Sequence, residues 1–209
     1  MDIEQRSVVE WIKKYASVIE ENRQYLIDLD SAIGDADHGE NMNRGFQAVM
    51  KKMPDMTDKD IGTILKTVGM TLLSTVGGAG GPLYGTVFMQ MGTKSAGKMS
   101  LDLQDWYDML DAALAGVILR GKAALNDKTM VDALSPALVA LKDAIHAGKS
   151  NTDALTLSAA AAEKGMLDTI PLVARKGRAS YLGERSAGHQ DPGATSSYFL
   201  LKAAADTWK

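Results

Sequence analysis

Three aspartates stand close together in D-S-A-I-G-D-A-D-H-G-E-N, residues 30 to 41: Asp30, Asp35 and Asp37. Gly34 and Gly39 let the backbone turn between and after them. Asp35 and Asp37 are two positions apart, so in an extended loop they project to the same side. Carboxylates brought together repel one another, and a divalent cation relieves the repulsion. Oxygen ligands suit Mg2+ or Ca2+, and Mg2+ characteristically completes its shell with phosphate oxygens and water. An EF-hand loop starting at Asp35 would need Gly at its sixth position and Glu at its twelfth. Those positions hold Glu40 and Phe46, which excludes it. The plain alternative is a solvated acidic turn that caps a helix.

A second stretch, G-G-A-G-G-P-L-Y-G at 77–85, could face a phosphate. It is no P-loop, since no Gly-Lys-Ser/Thr follows, and no dinucleotide fingerprint, since no strand precedes it. Pro82 sits where a helix should begin, and glycines before a helix expose N–H groups that favour anions. A tight helix–helix turn is the competing reading. The segment R-K-G-R-A-S-Y-L-G-E-R-S-A-G-H-Q-D-P-G at 175–193 offers Lys176 or Arg178 to a phosphate, or is simply an exposed basic loop. Asp191 and Pro192 read as cap and first residue of a last helix. N-D-K-T-M-V-D at 126–132 reads as a helix start with Asp and Thr caps. His38 and His189 lie in these loops, but two histidines among aspartates without cysteine suit Mg2+ better than zinc.

The elements that must hold these loops are helical. Val8, Ile12, Tyr15 and Ile19 line one helix face, as do Met42, Phe46, Val49 and Met53. Ile61, Ile64, Leu65, Val68 and Leu72 form another stripe, and so do Leu103, Trp106, Leu110 and Val117, entered through Ser100 as N-cap. Leu134, Leu138, Leu141 and Ile145 follow, then an Ala-rich helix over 152–174, then Tyr198, Leu201 and Ala205. No stretch alternates like a strand. The expected fold is all-α: one domain, 1–209, built as an antiparallel bundle or barrel of about eight helices. The chemistry is confined to four interhelical loops, 30–41, 77–85, 121–132 and 176–193, which places function at one end of that bundle.

Bulk properties narrow the classes. The 209 residues carry 23 basic and 26 acidic side chains, a net charge of -3, with 6% aromatics and no cysteine. That composition offers no basic field and few stacking platforms for nucleic acid. The charged N-terminus lacks a signal core, and no apolar run is long enough for a membrane helix. A soluble cytoplasmic protein is expected, with neither disulfides nor thiolate metal sites.

Together these loops resemble the subunit L family of dihydroxyacetone kinases. The matching strings are G-D-A-D-H-G at 34–39, G-G-A-G-G-P-L-Y-G at 77–85, D-K-T-M at 127–130 and K-G-R-A-S-Y-L-G-E-R-S-A-G-H-Q-D-P-G-A at 176–194. The resemblance implies an eight-helix barrel with ADP or ATP at one end, held through two Mg2+ ions on Asp30, Asp35 and Asp37. It implies nucleotide contacts at His38, Gly39, Glu40, Asn41, Ala79, Gly80, Gly121, Met130, Arg178, Asp191, Pro192 and Gly193. At Gly80 the family often has Ser, so backbone N–H must serve there alone. The resemblance further implies a sugar-binding partner subunit that holds dihydroxyacetone, and a phosphotransferase-system subunit that rephosphorylates bound ADP from phosphoenolpyruvate. A homodimer is left open. Competing readings are the nucleotide domain of an ATP-dependent dihydroxyacetone or fatty-acid kinase, a D-x-D glycosyltransferase, and a non-catalytic helical adaptor or regulator.

Overall fold

The structure, a computed structural model, describes residues 2–209. Nine α-helices are found among them: α1 (Gln5–Glu21), α2 (Arg23–Ile33), α3 (His38–Lys52), α4 (Ile61–Thr75), α5 (Gly80–Lys94), α6 (Leu103–Gly121), α7 (Met130–His146), α8 (Asn151–Asp168) and α9 (Pro192–Thr207). Short 3-10 segments lie at Met53–Met56 and Arg178–Ser186. Strands β1 (Ile3–Glu4) and β2 (Ser100–Leu101) make one antiparallel pair, with Ile3 opposite Leu101. No described helix is long and apolar enough to cross a membrane.

Successive helices from α3 to α9 pack side by side, and α9 returns to α1, which packs on α3 and closes the ring. The core inside the ring is a single large apolar cluster. All three tryptophans of the chain meet in it: Trp11 and Trp106 are edge to face at 5.1 Å, and Trp106 and Trp208 at 4.7 Å. Two of the buried indole N–H groups bond to the backbone, Trp11 Nε1 donating to the Leu200 carbonyl and Trp208 Nε1 to that of Ser7. These bonds tie α1 to α9 and hold the seam of the barrel.

Helix starts are set by short polar caps. Asp60, Asp102, Thr129, Ser150 and Asp191 each accept a first-turn N–H of the helix that follows. The expected cap Ser100 instead lies in β2, and Asp102 forms a reciprocal capping box with Asp105. The expected Ala-rich helix ends at Asp168, because residues 169–174 turn away towards the site.

Two helices carry no stripe in the sequence. α2 buries only Leu26, Asp30 and Ile33, and is divided from α1 at Asn22. α5 is buried on most sides, through Tyr84, Gly85, Thr86, Val87, Phe88, Met91 and Gly92, so it has no polar face to reveal a period. Its partner is α4, and the two approach at glycines. A Cβ on Gly69 would lie 2.9 Å from the Gly85 carbonyl, and one on Gly92 would lie 2.8 Å from that of Gly62. This contact fixes where the N-terminus of α5 points.

Candidate functional site

The acidic segment is a helix–turn–helix rather than a long loop. Asp30 lies in the last turn of α2, and His38 opens α3. α3 has no cap of its own, so Asp30 supplies one: its Oδ2 accepts the N–H groups of Asp37 at 2.8 Å and His38 at 3.1 Å. Gly34 is required between them, since a Cβ there would fall 2.1 Å from Asp30 Oδ1. Ala36 turns through positive φ, 60°. The result brings one carboxylate oxygen from each of Asp30, Asp35 and Asp37 within 4.8 Å of the others. Asp30 is buried, Asp37 half-buried and Asp35 exposed. Such clustered hard oxygens, open on one side, fit a divalent cation such as Mg2+.

A cavity of about 470 Å3 opens beside this cluster, within the ~300–1,000 Å3 usual for small-ligand sites. The first residues of four helices line it: His38 of α3, Gly80 of α5, Met130 of α7 and Pro192 of α9. Each helix start turns its positive dipole end towards the cavity, so the convergence favours an anion, although Asp30, Thr129 and Asp191 already accept N–H groups at the starts of α3, α7 and α9. α5 has no side-chain cap, leaving its glycine-rich first turn to such a ligand. The remaining wall is largely apolar, through Ile33, Leu83, Val117, Met130 and Val131.

The cavity brings together most of the residues singled out from the sequence. Asp30, Asp35, Asp37, His38, Asn41, Ala79, Gly80, Gly121, Met130, Arg178, Asp191, Pro192 and Gly193 all line it. Gly39 and Glu40 do not. Gly39 packs on the Arg23 carbonyl, where a Cβ would stand 2.2 Å away, and Glu40 pairs with Arg23 at 2.9 Å on the outer surface. The first turn of α3 directs them away from the cavity while His38 and Asn41 face it. Lys176 also lines the wall.

A buried hydrogen-bond network lies behind His38. Its Nε2 meets Ser196 Oγ at 2.9 Å, and Tyr84 Oη meets Ser196 Oγ at 2.7 Å and Ser197 Oγ at 3.0 Å. Tyr15 Oη donates to the Ser196 carbonyl at 3.0 Å. Burial pushes both tyrosines above their ordinary values. Burial also lowers His38, against the opposing pull of Asp30 and Asp37. Asp191 is raised to about 7, chiefly by burial, although the Ala194 N–H it accepts favours the carboxylate.

Lys128 is the functional candidate that the sequence did not reveal. It is buried, lines the cavity and holds a left-handed φ of 64°. In sequence it sits between Asp127 and Thr129 and reads as one more polar turn residue. Tyr84 and Thr129 also line the cavity.

A family model described as the DAK2 domain matches residues 32–206. The "PEP-dependent dihydroxyacetone kinase, ADP-binding subunit DhaL" of Escherichia coli K12 is 47% identical over 98% of both chains. A DhaL subunit of Listeria innocua, of PEP-dependent dihydroxyacetone kinase 1, is 41% identical over 94% of this chain and 93% of its own. Among solved structures, the dihydroxyacetone kinase of C. freundii in complex with AMP-PNP and Mg2+ has the same fold, with a TM-score of 0.71 at 23% identity. That comparison covers 99% of this chain, which spans about a third, 34%, of the C. freundii enzyme. By the residues matched and the identity to its relatives, the chain belongs to the DAK2-domain family, with the DhaL subunits.

Proposed function

We propose that this chain is the nucleotide-carrying subunit of a phosphoenolpyruvate-dependent dihydroxyacetone kinase. The observation that carries the reading is the meeting of four helix starts and three carboxylates at one cavity. A nucleoside diphosphate needs both: N–H groups for its phosphates and a cation to offset the remaining charge. The E. coli relative is, by its name, an ADP-binding subunit of such a kinase.

Asp30, Asp35 and Asp37 would hold two Mg2+ ions, which supply charge neutralisation at the phosphates when bound. Ala79 and Gly80 present backbone N–H at the start of α5, and His38 and Asn41 flank the acidic cluster. Arg178 adds a guanidinium at the solvent-facing edge. Gly121, Met130, Pro192 and Gly193 line the rest of the seat, beside the apolar Leu83 and Val117 that suit the nucleoside. Phosphoryl transfer then depends on positioning and charge rather than covalent chemistry by this chain. The acceptor hydroxyl and its base are assigned to a sugar-binding partner subunit, and rephosphorylation of ADP to a phosphotransferase-system donor subunit.

Mass spectrometry of the small molecule that co-purifies tests this, with and without a chelator. The expected result is ADP or ATP that survives dialysis and leaves on chelation. Protein that retains no nucleotide and binds none with Mg2+ contradicts the proposal.

A further inference from the structure

Lys128 offers three donors, and the fold supplies enough carbonyls to occupy them. Its Nζ donates to the carbonyls of Thr169 at 2.9 Å, Leu172 at 3.1 Å and His189, with that of Ile170 at a marginal 3.4 Å. An ammonium has three N–H donors, so three good bonds leave none for a phosphate. Although it lines the cavity, Lys128 is therefore unlike the lysine of a phosphate-binding loop. A buried ammonium without a carboxylate in direct contact is a costly device for ordinary packing. What it gathers is specific: the 169–172 turn and the residue two positions before Asp191.

The same strut continues to the cavity floor. Thr169 uses its carbonyl for Lys128 and its Oγ1 to accept the Asp191 N–H at 3.0 Å. Asp191 then caps α9 through the Ala194 N–H at 2.7 Å, and Gly193 lies against the backbone of Met130, where a Cβ would be 3.7 Å from its N. The loop that carries Lys128 is pinned from both sides. Asp132 accepts the N–H groups of Asn126 and Thr129, and the Asp127 carbonyl accepts that of Arg175. This bracing sustains the left-handed backbone that turns Lys128 inward.

We propose that Lys128 is a positioning residue: its buried ammonium fixes the Asp191–Gly193 turn as one wall of the nucleotide seat, without touching the ligand. The inference rests on the reading of the cavity as that seat, and deepens it. The metal cluster at 30–37 is held by other bonds, so the two halves of the site should separate on mutation.

The test is calorimetric titration of full-length wild type, K128M and T169V with Mn2+ alone, and with ADP at saturating Mg2+. K128M is expected to bind Mn2+ within about twofold of wild type and ADP roughly tenfold more weakly, about 1.4 kcal/mol, as the seat loses its fixed wall. T169V cuts the strut at Asp191 while leaving the Lys128 ammonium in place, and is expected to weaken ADP several-fold. Should K128M fail to fold, T169V decides alone. ADP affinity at the wild-type level in either folded variant overturns the role of Lys128, as does parallel loss of Mn2+ and ADP affinity. A wild type that binds no ADP removes the seat itself, and the inference with it.

Discussion

Arg178 and Asp35 form an ion pair, Nε to Oδ2 at 3.0 Å, at the solvent-facing edge of the acidic cluster. Arg178 thus occupies a carboxylate that a cation would also use. Its side chain is 69% exposed, so solvent screens the pair. R178A is expected to raise Mn2+ affinity of the nucleotide-free protein by about two- to threefold, as for a surface pair of ~0.5 kcal/mol. The same variant should bind ADP–Mg2+ more weakly, through loss of the phosphate contact proposed for Arg178. Titration of both ligands against wild type checks the opposite signs.

Asp30 has two duties that substitution can divide. Its charge belongs to the proposed cation site, while its Oδ2 caps α3. D30N keeps an oxygen acceptor and should melt close to wild type while losing metal affinity. D30A loses both, and should be destabilised further by about 1–2 kcal/mol. Thermal melts of the two variants without divalent ions read this difference.

Asp191 links stability to pH. Its folded pKa, raised to about 7 by burial, lies above the ordinary carboxylate value. Between these values the folded state binds the proton that the unfolded state has released. The contribution of Asp191 to stability is therefore full below about pH 4 and is lost as pH rises through about 7, by up to ~1.4 kcal/mol per pH unit. D191N should lack this component. Denaturant melts from pH 4.5 to 8 are expected to show wild type losing stability relative to D191N as pH increases; a constant difference contradicts the assignment.

The α4–α5 contact tolerates no side chain at its glycines. G85A would place a Cβ 2.4 Å from Leu73 Cγ and 3.1 Å from the Gly69 carbonyl. The expected loss is about 1–3 kcal/mol, typical of overpacking. Because α5 carries the glycine-rich turn to the cavity, weaker ADP binding should accompany the lower melting temperature.

Much of this was legible in the residues because local rules and tertiary structure agree. Asp191 caps α9 with Pro192 in its first turn, as their order suggests, and the stripe from Val8 to Ile19 is the buried face of α1. The three aspartates meet because Gly34 and the cap from Asp30 close a short turn, which their spacing allows. Other features depend on long-range packing. α5 is nearly all buried, so its sequence lacks a period, and Asp30 belongs to a helix whose few buried residues give little signal. Gly39 and Glu40 follow His38 directly in sequence, but helical rotation takes them off the cavity wall. The inward path of Lys128 depends on carbonyls 41 to 61 positions away, which no local pattern encodes.

Asp30, Asp35 and Asp37 are proposed to hold the cation through which ADP binds. Calorimetric titration of ADP into wild type and D35N, with Mg2+ and with excess chelator, is the decisive test. One ADP per wild-type chain is expected with Mg2+, and affinity weakened by a hundredfold or more, on the order of 3 kcal/mol, in chelator or in D35N. Equal ADP affinity in all of these conditions would contradict that role.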